Sequence, residues 1–265
     1  MASRNCLITG ASAGIGREFA YLMAERGYDL ILVARREERL REIATEVAEK
    51  WGAKTLIIIQ DLHKPYAADN ILNIVAENNL TIDALINNAG YGLPGTFLTT
   101  KWQEQQDFLQ IMLNTPTELC HKVLSGMKER GFGRIINIAS LAGHLPGSLG
   151  HTLYTPVKAY MIKMSQSLNL ECQGTGIHVT ALCPGFTYSE FHDVNGTREL
   201  VSKMPKFMWL DADVVAELGF KALEENRAVY VTGKSNKAIA AMFKLLPDRV
   251  AEYFVKKNSD KFRKI

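Results

Sequence analysis

Short, almost wholly apolar runs alternate along this chain with longer segments of helical period, and the first run opens directly into a glycine-rich turn, Thr9-Gly10-Ala11-Ser12-Ala13-Gly14-Ile15-Gly16. The strand-like runs cover 5–9, 29–34, 54–60, 84–87, 134–139, 178–183 and 228–232, and helical patterns fill 16–26, 36–51, 66–78, 103–130, 154–173 and 211–225. Strict β-then-α alternation predicts a parallel sheet with helices on both faces. Runs such as Leu30-Ile31-Leu32-Val33 and Leu56-Ile57-Ile58-Ile59 lack a polar side, as expected of strands buried on both faces. The pattern is that of an α/β, Rossmann-type doubly wound sheet of about seven strands. Asp211, ahead of Val214, Val215 and Leu218, is placed to cap the helix that follows.

The 265 residues show no Pro/Ser-rich linker, low-complexity tract or internal repeat, so residues 1–265 read as one domain. Two segments leave the alternation. Residues 188–210 mix Phe191, Met204, Phe207, Met208 and Trp209 with Gly196 and Pro205 just after a strand, which fits a lid over a site at the strand ends or an ordinary packed loop. Residues 235–265 form a C-terminal extension, expected as two helices parted near Pro247. With 47% hydrophobic and 22% charged residues the composition is that of an ordinary globular protein, and a net charge of +3 is too mild to argue for nucleic acid. The last sixteen residues carry five cations against two acids, a solvated terminus or a weak attraction to an anionic membrane surface. Cys6, Cys120, Cys172 and Cys183 are spaced too widely for a metal or redox motif and read as reduced, mostly buried thiols. Without a leader-like start or an apolar stretch of 18 residues, the chain is expected to be soluble and cytoplasmic.

The glycine turn gains meaning from lying between a strand and a helix. Gly10 allows the tight bend, Gly14 a close backbone approach and Gly16 the packing of helix on strand, while the helix offers free N–H groups and its positive end to a pyrophosphate. At the end of the second strand an acid would hold a free ribose 2′-hydroxyl. Here Ala34 stands in that place and Arg35 and Arg36 follow. Arg35 and Arg36 are both expected at the cofactor, Arg35 pairing with a 2′-phosphate and stacking on adenine and Ser12 donating to the same phosphate, so NADP(H) is preferred over NAD(H). Arg39 reads as a helix-surface partner of nearby glutamates.

Further along come Asn87-Asn88-Ala89-Gly90, Asn114, Ser140, the Tyr154-Thr155-Pro156-Val157-Lys158 pair and Pro184-Gly185. With the opening turn this ordered set resembles the short-chain dehydrogenase/reductase family over essentially the whole chain. The resemblance implies Ser140, Tyr154 and Lys158 as catalytic residues supported by Asn114, which would keep a water behind Lys158. It places Asp61 and Leu62 at the adenine, Asn88, Ala89 and Gly90 at the adenosine ribose, and Pro184, Gly185 and Thr187 at the nicotinamide. Ser189 stands where a Thr often contacts the carboxamide, and Ser12, Ala13, Ile15 and the three glycines line the pyrophosphate. Val157, where the family often has Ser or Thr, and Pro156 depart from the common pattern, and because proline is tolerated only in a first helical turn, the helix should begin close to Tyr154.

Tyr and Lys four residues apart share a helix face. A phenol with pKa ~10 remains protonated near neutrality, and a neighbouring ammonium is expected to lower that pKa. Such a pair suits protonation of a carbonyl oxygen as hydride reaches its carbon, with Ser140 fixing the oxygen. The reading is therefore an NADPH-dependent carbonyl reductase, reversible as a secondary-alcohol dehydrogenase; the alternative is a catalytically idle NADP(H)-binding regulator on the same fold. Pocket walls are expected from 91–95, 141–153 and 188–210, with His151 near the pocket and an apolar or bulky carbonyl substrate. The family resemblance further implies a homodimer or homotetramer formed through the helices that carry Asn114 and Lys158.

Overall fold

A computed structural model describes residues 4–191, 199, 202 and 204–258. In chain order its strands are β1 (Arg4–Thr9), β2 (Tyr28–Ala34), β3 (Thr55–Ile59), β4 (Ala84–Asn87), β5 (Gly133–Ile138), β6 (Ile177–Cys183), β7 (Phe186–Tyr188), β8 (Trp209–Asp211) and β9 (Val229–Val231). The helices are α1 (Gly14–Glu25), α2 (Glu37–Trp51), α3 (Ala67–Glu77), α4 (Trp102–Leu109), α5 (Thr115–Arg130), α6 (Tyr154–Glu171), α7 (Ala212–Glu224), α8 (Lys234–Leu245) and α9 (Asp248–Asn258). A wide π turn, Gln110–Asn114, joins α4 to α5.

Seven strands pair in parallel in the order β3-β2-β1-β4-β5-β6-β9. Alternate strand residues feed two separate cores. Cys6, Ile8, Leu30, Leu32 and Ile136 point to α1, α2 and α7, where Phe19, Met23, Leu40, Val47 and Val215 meet them. Leu7, Ile31, Val33, Leu85 and Ile135 point the other way, to Ile71 of α3 and Leu119 and Met127 of α5. Each fully buried Leu or Ile contributes about 1.5–3 kcal/mol relative to exposure, so the two cores fix the register of every central strand. The chain winds outward from β1 to β3 and then crosses to β4 on the other side of β1. The crevice at the C-terminal ends of β1 and β4 is the switch point where doubly wound sheets bind ligands.

The expected strands all form, as do the helices, including the break at Pro247. The small parallel sheet of β7 and β8 was not legible in the sequence; Trp209 stacks on Tyr188 at 4.7 Å and on Phe186 at 5.3 Å to close it. Within the segment 188–210, expected as a lid or packed loop, residue 188 closes β7 and 209–210 open β8, while 192–198, 200, 201 and 203 lie outside the described residues. Asp211 takes the N-cap position of α7 in an extended conformation, but its carboxylate makes no capping bond. The basic residues beyond Asn258 also lie outside the described residues. All four cysteines are free and buried. Among the described residues no helix is long and apolar enough to cross a membrane.

Candidate active site

The glycine turn is fixed from below by the loop after β4. Thr9 Oγ1 accepts the backbone N–H groups of Asn88 (3.0 Å) and Ala89 (3.1 Å), and Asn88 Nδ2 donates to the carbonyls of Thr9 (3.0 Å) and Gly10 (3.1 Å). Gly10 has φ +65°, and a Cβ there would lie 2.8 Å from Ala89 Cα, so only glycine fits. Gly14 has φ +54° and faces Ser189, whose Cβ would be 3.0 Å from an added methyl. Helix α1 starts here with Ala13 as N-cap, no side-chain cap and no acid in its first turn. The N–H groups of the first turn and the positive end of the helix are thus left to an anion. Residues 10–16 fit a pyrophosphate.

Two residues past the end of β2, Arg36 donates to Ser12 Oγ from Nε (3.3 Å) and Nη2 (3.1 Å), and from Nη1 to Glu190 (2.8 Å). Arg36, not Arg35, is therefore the guanidinium joined to Ser12. Arg35 is exposed, and its charge acts on Tyr91, opposing the burial that pushes that phenol up to about 12. Arg39 does not pair with a neighbour on its own helix but with Glu190 at 2.5 Å, a partner 151 residues away. At the end of β3, Asp61 Oδ1 sits 2.9 Å from His63 Nδ1, and the buried Leu62 accepts the Thr115 hydroxyl at 3.1 Å through its carbonyl. From β6 the chain runs back to the turn: Pro184 O accepts Leu141 N–H at 2.8 Å, Gly185 abuts the Asn236 amide, and the buried Thr187 bonds Gly185 O at 3.3 Å.

Ser140, two residues past β5, is extended and caps the short turn Leu141–His144, its Oγ accepting Ala142 N–H at 3.1 Å. Tyr154 is the first residue of α6, which leaves Pro156 in the first turn where its missing N–H costs nothing. One turn on, Lys158 is buried, with Nζ donating to Ile138 O at 2.7 Å and lying 5.7 Å from the Tyr154 ring centroid. Burial pushes the phenol's pKa up, with a hydrogen bond to Ser140 pulling against it. The lowering expected from Lys158 does not appear; burial and the Ser140 hydrogen bond alone set the direction. Burial also brings Lys158 down to about 8, with Cys183 opposing. A half-buried phenol, a hydroxyl in its reach and a buried amine of reduced basicity can protonate and polarise one oxygen.

Asn114 makes its side-chain hydrogen bond outside this group. Its side chain is exposed at the end of the π turn and donates to Gln110 at 3.0 Å. Two residues earlier, Met112 is buried and lines a small cavity with Lys158, Asn87, Thr9 and Leu62, its sulfur lying against Gly90. A shift of two positions turns a helical residue by about 200°, so Asn114 and Met112 look opposite ways. Phe191, named in the sequence only as part of segment 188–210, has its ring 6.1 Å from that of Tyr154, and Glu190 was not singled out at all; only the fold brings them in. A second pocket opens beside Tyr154, walled by Leu93, Phe97, Phe108 and Leu153, with Gln105 and His151 at its edge. Segments 91–95 and 141–153 contribute as expected, and residues 96–108 add a wall that the sequence did not suggest.

Residues 4–199 match the family model described as short chain dehydrogenase. The very-long-chain 3-oxoacyl-CoA reductase of Laccaria bicolor is 32% identical over 74% of this chain, and the match spans 59% of that relative's length. Sulfoacetaldehyde reductase 2 of Chromohalobacter salexigens is 33% identical over 70% of this chain and 73% of its own. A solved short-chain dehydrogenase from Sphingobium yanoikuyae in complex with NADPH superposes with a TM-score of 0.79 at 27% identity, covering 92% of this chain and 97% of that one.

Proposed function

The chain belongs to the short chain dehydrogenase family, and from that premise we propose that it is an NADP(H)-dependent carbonyl reductase, reversible as a secondary-alcohol dehydrogenase. The observation that carries the reading is the convergence of Ser140, Tyr154 and Lys158 at the crevice that also holds the glycine turn. NADPH fits the residues present: the uncapped start of α1 takes the pyrophosphate, and Ser12 with Arg36 takes the 2′-phosphate. A structural relative solved with NADPH and reductase-named relatives support the same cofactor and reaction type.

Bound NADPH supplies hydride to the carbonyl carbon. Tyr154 gives its phenolic proton to the carbonyl oxygen, so C=O becomes CH–OH with no charge left on the product. Ser140 donates to the same oxygen and holds it where charge develops. Lys158, pinned by Ile138 O, stabilises the phenolate that Tyr154 becomes and then returns a proton to it. The substrate is an apolar or bulky carbonyl compound, to suit Leu93, Phe97, Phe108 and Leu153 beside Tyr154. We also read α5 and α6 as a homodimer or tetramer face, which light scattering would test.

NADPH oxidation followed by absorbance across a panel of ketones and aldehydes tests the proposal. Turnover of apolar ketones with NADPH favoured over NADH is expected. Tight NADPH binding with no turnover on the whole panel would instead indicate a cofactor-binding regulator.

A further inference from the structure

Glu190 holds a position that the proposed reaction does not use. It lies two residues past β7, directly after Ser189, which faces Gly14, and before Phe191, which stands beside Tyr154. Its two carboxylate oxygens bridge the guanidinium groups of Arg36 (2.8 Å) and Arg39 (2.5 Å). The contacts join residues 154 and 151 positions apart. Arg36 is thus divided: Nε and Nη2 hold Ser12 Oγ, and Nη1 is taken by Glu190. An incoming 2′-phosphate needs that same guanidinium, because bidentate Arg pairing is the strong way to hold a phosphate. With the adenosine end of NADPH at Ser12 and Arg36, the Glu190 carboxylate would face the phosphate dianion across one cation.

We propose that Glu190 is a built-in competitor of the 2′-phosphate, a specificity-determining residue that loosens the hold of Arg36 on NADP(H) and leaves NAD(H) untouched. The inference rests on the NADP(H) reading above. Both arginines also hold the Glu190 carboxyl below its ordinary pKa, so the competitor is ionised at neutral pH. The pairs are part-exposed, so the competition is modest and sensitive to salt.

The test is equilibrium binding to the full chain of four probes, NADPH, NADH, adenosine 2′,5′-bisphosphate and 5′-AMP, before and after Glu190→Gln. Removing the charge should tighten NADPH and the bisphosphate by about three- to tenfold at low salt, with NADH and 5′-AMP within about twofold. The gain should vanish in high salt and in the double variant with Arg36→Gln. Unchanged or weaker bisphosphate binding in Glu190→Gln, or an equal shift for all four probes, overturns the proposal and makes Glu190 a loop-shaping residue. Should the wild type fail to favour the bisphosphate over 5′-AMP, the NADP(H) reading falls with it; if it does favour it and only the Glu190→Gln gain is missing, that reading stands.

Discussion

Lys158 is an amine held in a buried place with a backbone carbonyl as its hydrogen-bond partner. Its pKa falls from 10.5 to about 8 in the fold because burial disfavours the charge. Below pH 8 both folded and unfolded chains carry the proton and the full burial cost is felt. Between about 8 and 10.5 the unfolded chain binds the extra proton, so stability rises with pH through that window. Chemical denaturation of the cofactor-free wild type and Lys158→Met at pH 7 and pH 10 should show the wild type gaining about 2–3 kcal/mol on the variant. A constant gap would mean that Lys158 is not desolvated. The exposed Asn114 is the opposite case. Asn114→Ala should leave kcat within about twofold, whereas Met112→Ala, which empties the wall beside Lys158, should cost about 2–5 kcal/mol of stability. Steady-state kinetics and denaturant melts check both. The sequence placed Asn114 in a helical run but carried no sign of the π turn at Gln110–Asn114, which shifts which residues face inward.

At the scale of elements, the turn between β1 and α1 depends on backbone approach more than on any side chain. Gly10→Ala puts a methyl group 2.8 Å from Ala89 Cα at a φ of +65°. The turn must open, and NADPH affinity should fall by about tenfold or more, with a loss of about 1 kcal/mol or more in stability, measured by fluorescence titration and thermal melts. The central strands were legible because both their faces are buried, so continuous apolar runs such as Leu30–Val33 signal them, whereas the edge strands β3 and β9 are only partly covered and Ile59 is exposed. β7 and β8 left no such trace. Each is three residues long, and their pairing rests on Trp209 stacking with rings from the other side of a long connection. Likewise the basic pair after β2 signalled an anion site, but which arginine reaches Ser12 depends on the start of α2 and on Glu190, distant in sequence. Composition and spacing carry the types of residue in a site; the face each one presents comes from tertiary packing.

For the whole molecule, the crossing from β3 back to β4 opens the crevice, and four separated stretches of chain meet in it: the glycine turn, the loop after β4, Ser140 with α6, and the return from β6. The C-terminal region shares in the site too, since buried Asn236 of α8 bonds Thr232 O at 2.8 Å and packs against Gly185 in the return segment. In the proposed reaction all of these parts serve one acid, the phenol of Tyr154. A single-turnover reaction of NADPH-loaded protein with a ketone that the wild type reduces, run in parallel on Tyr154→Phe with the NADPH Kd of each, addresses it directly. The variant should bind NADPH within about twofold of wild type and transfer hydride slower by about 10²-fold or more. Hydride transfer by Tyr154→Phe within a few-fold of wild type would contradict the assignment of the proton donor.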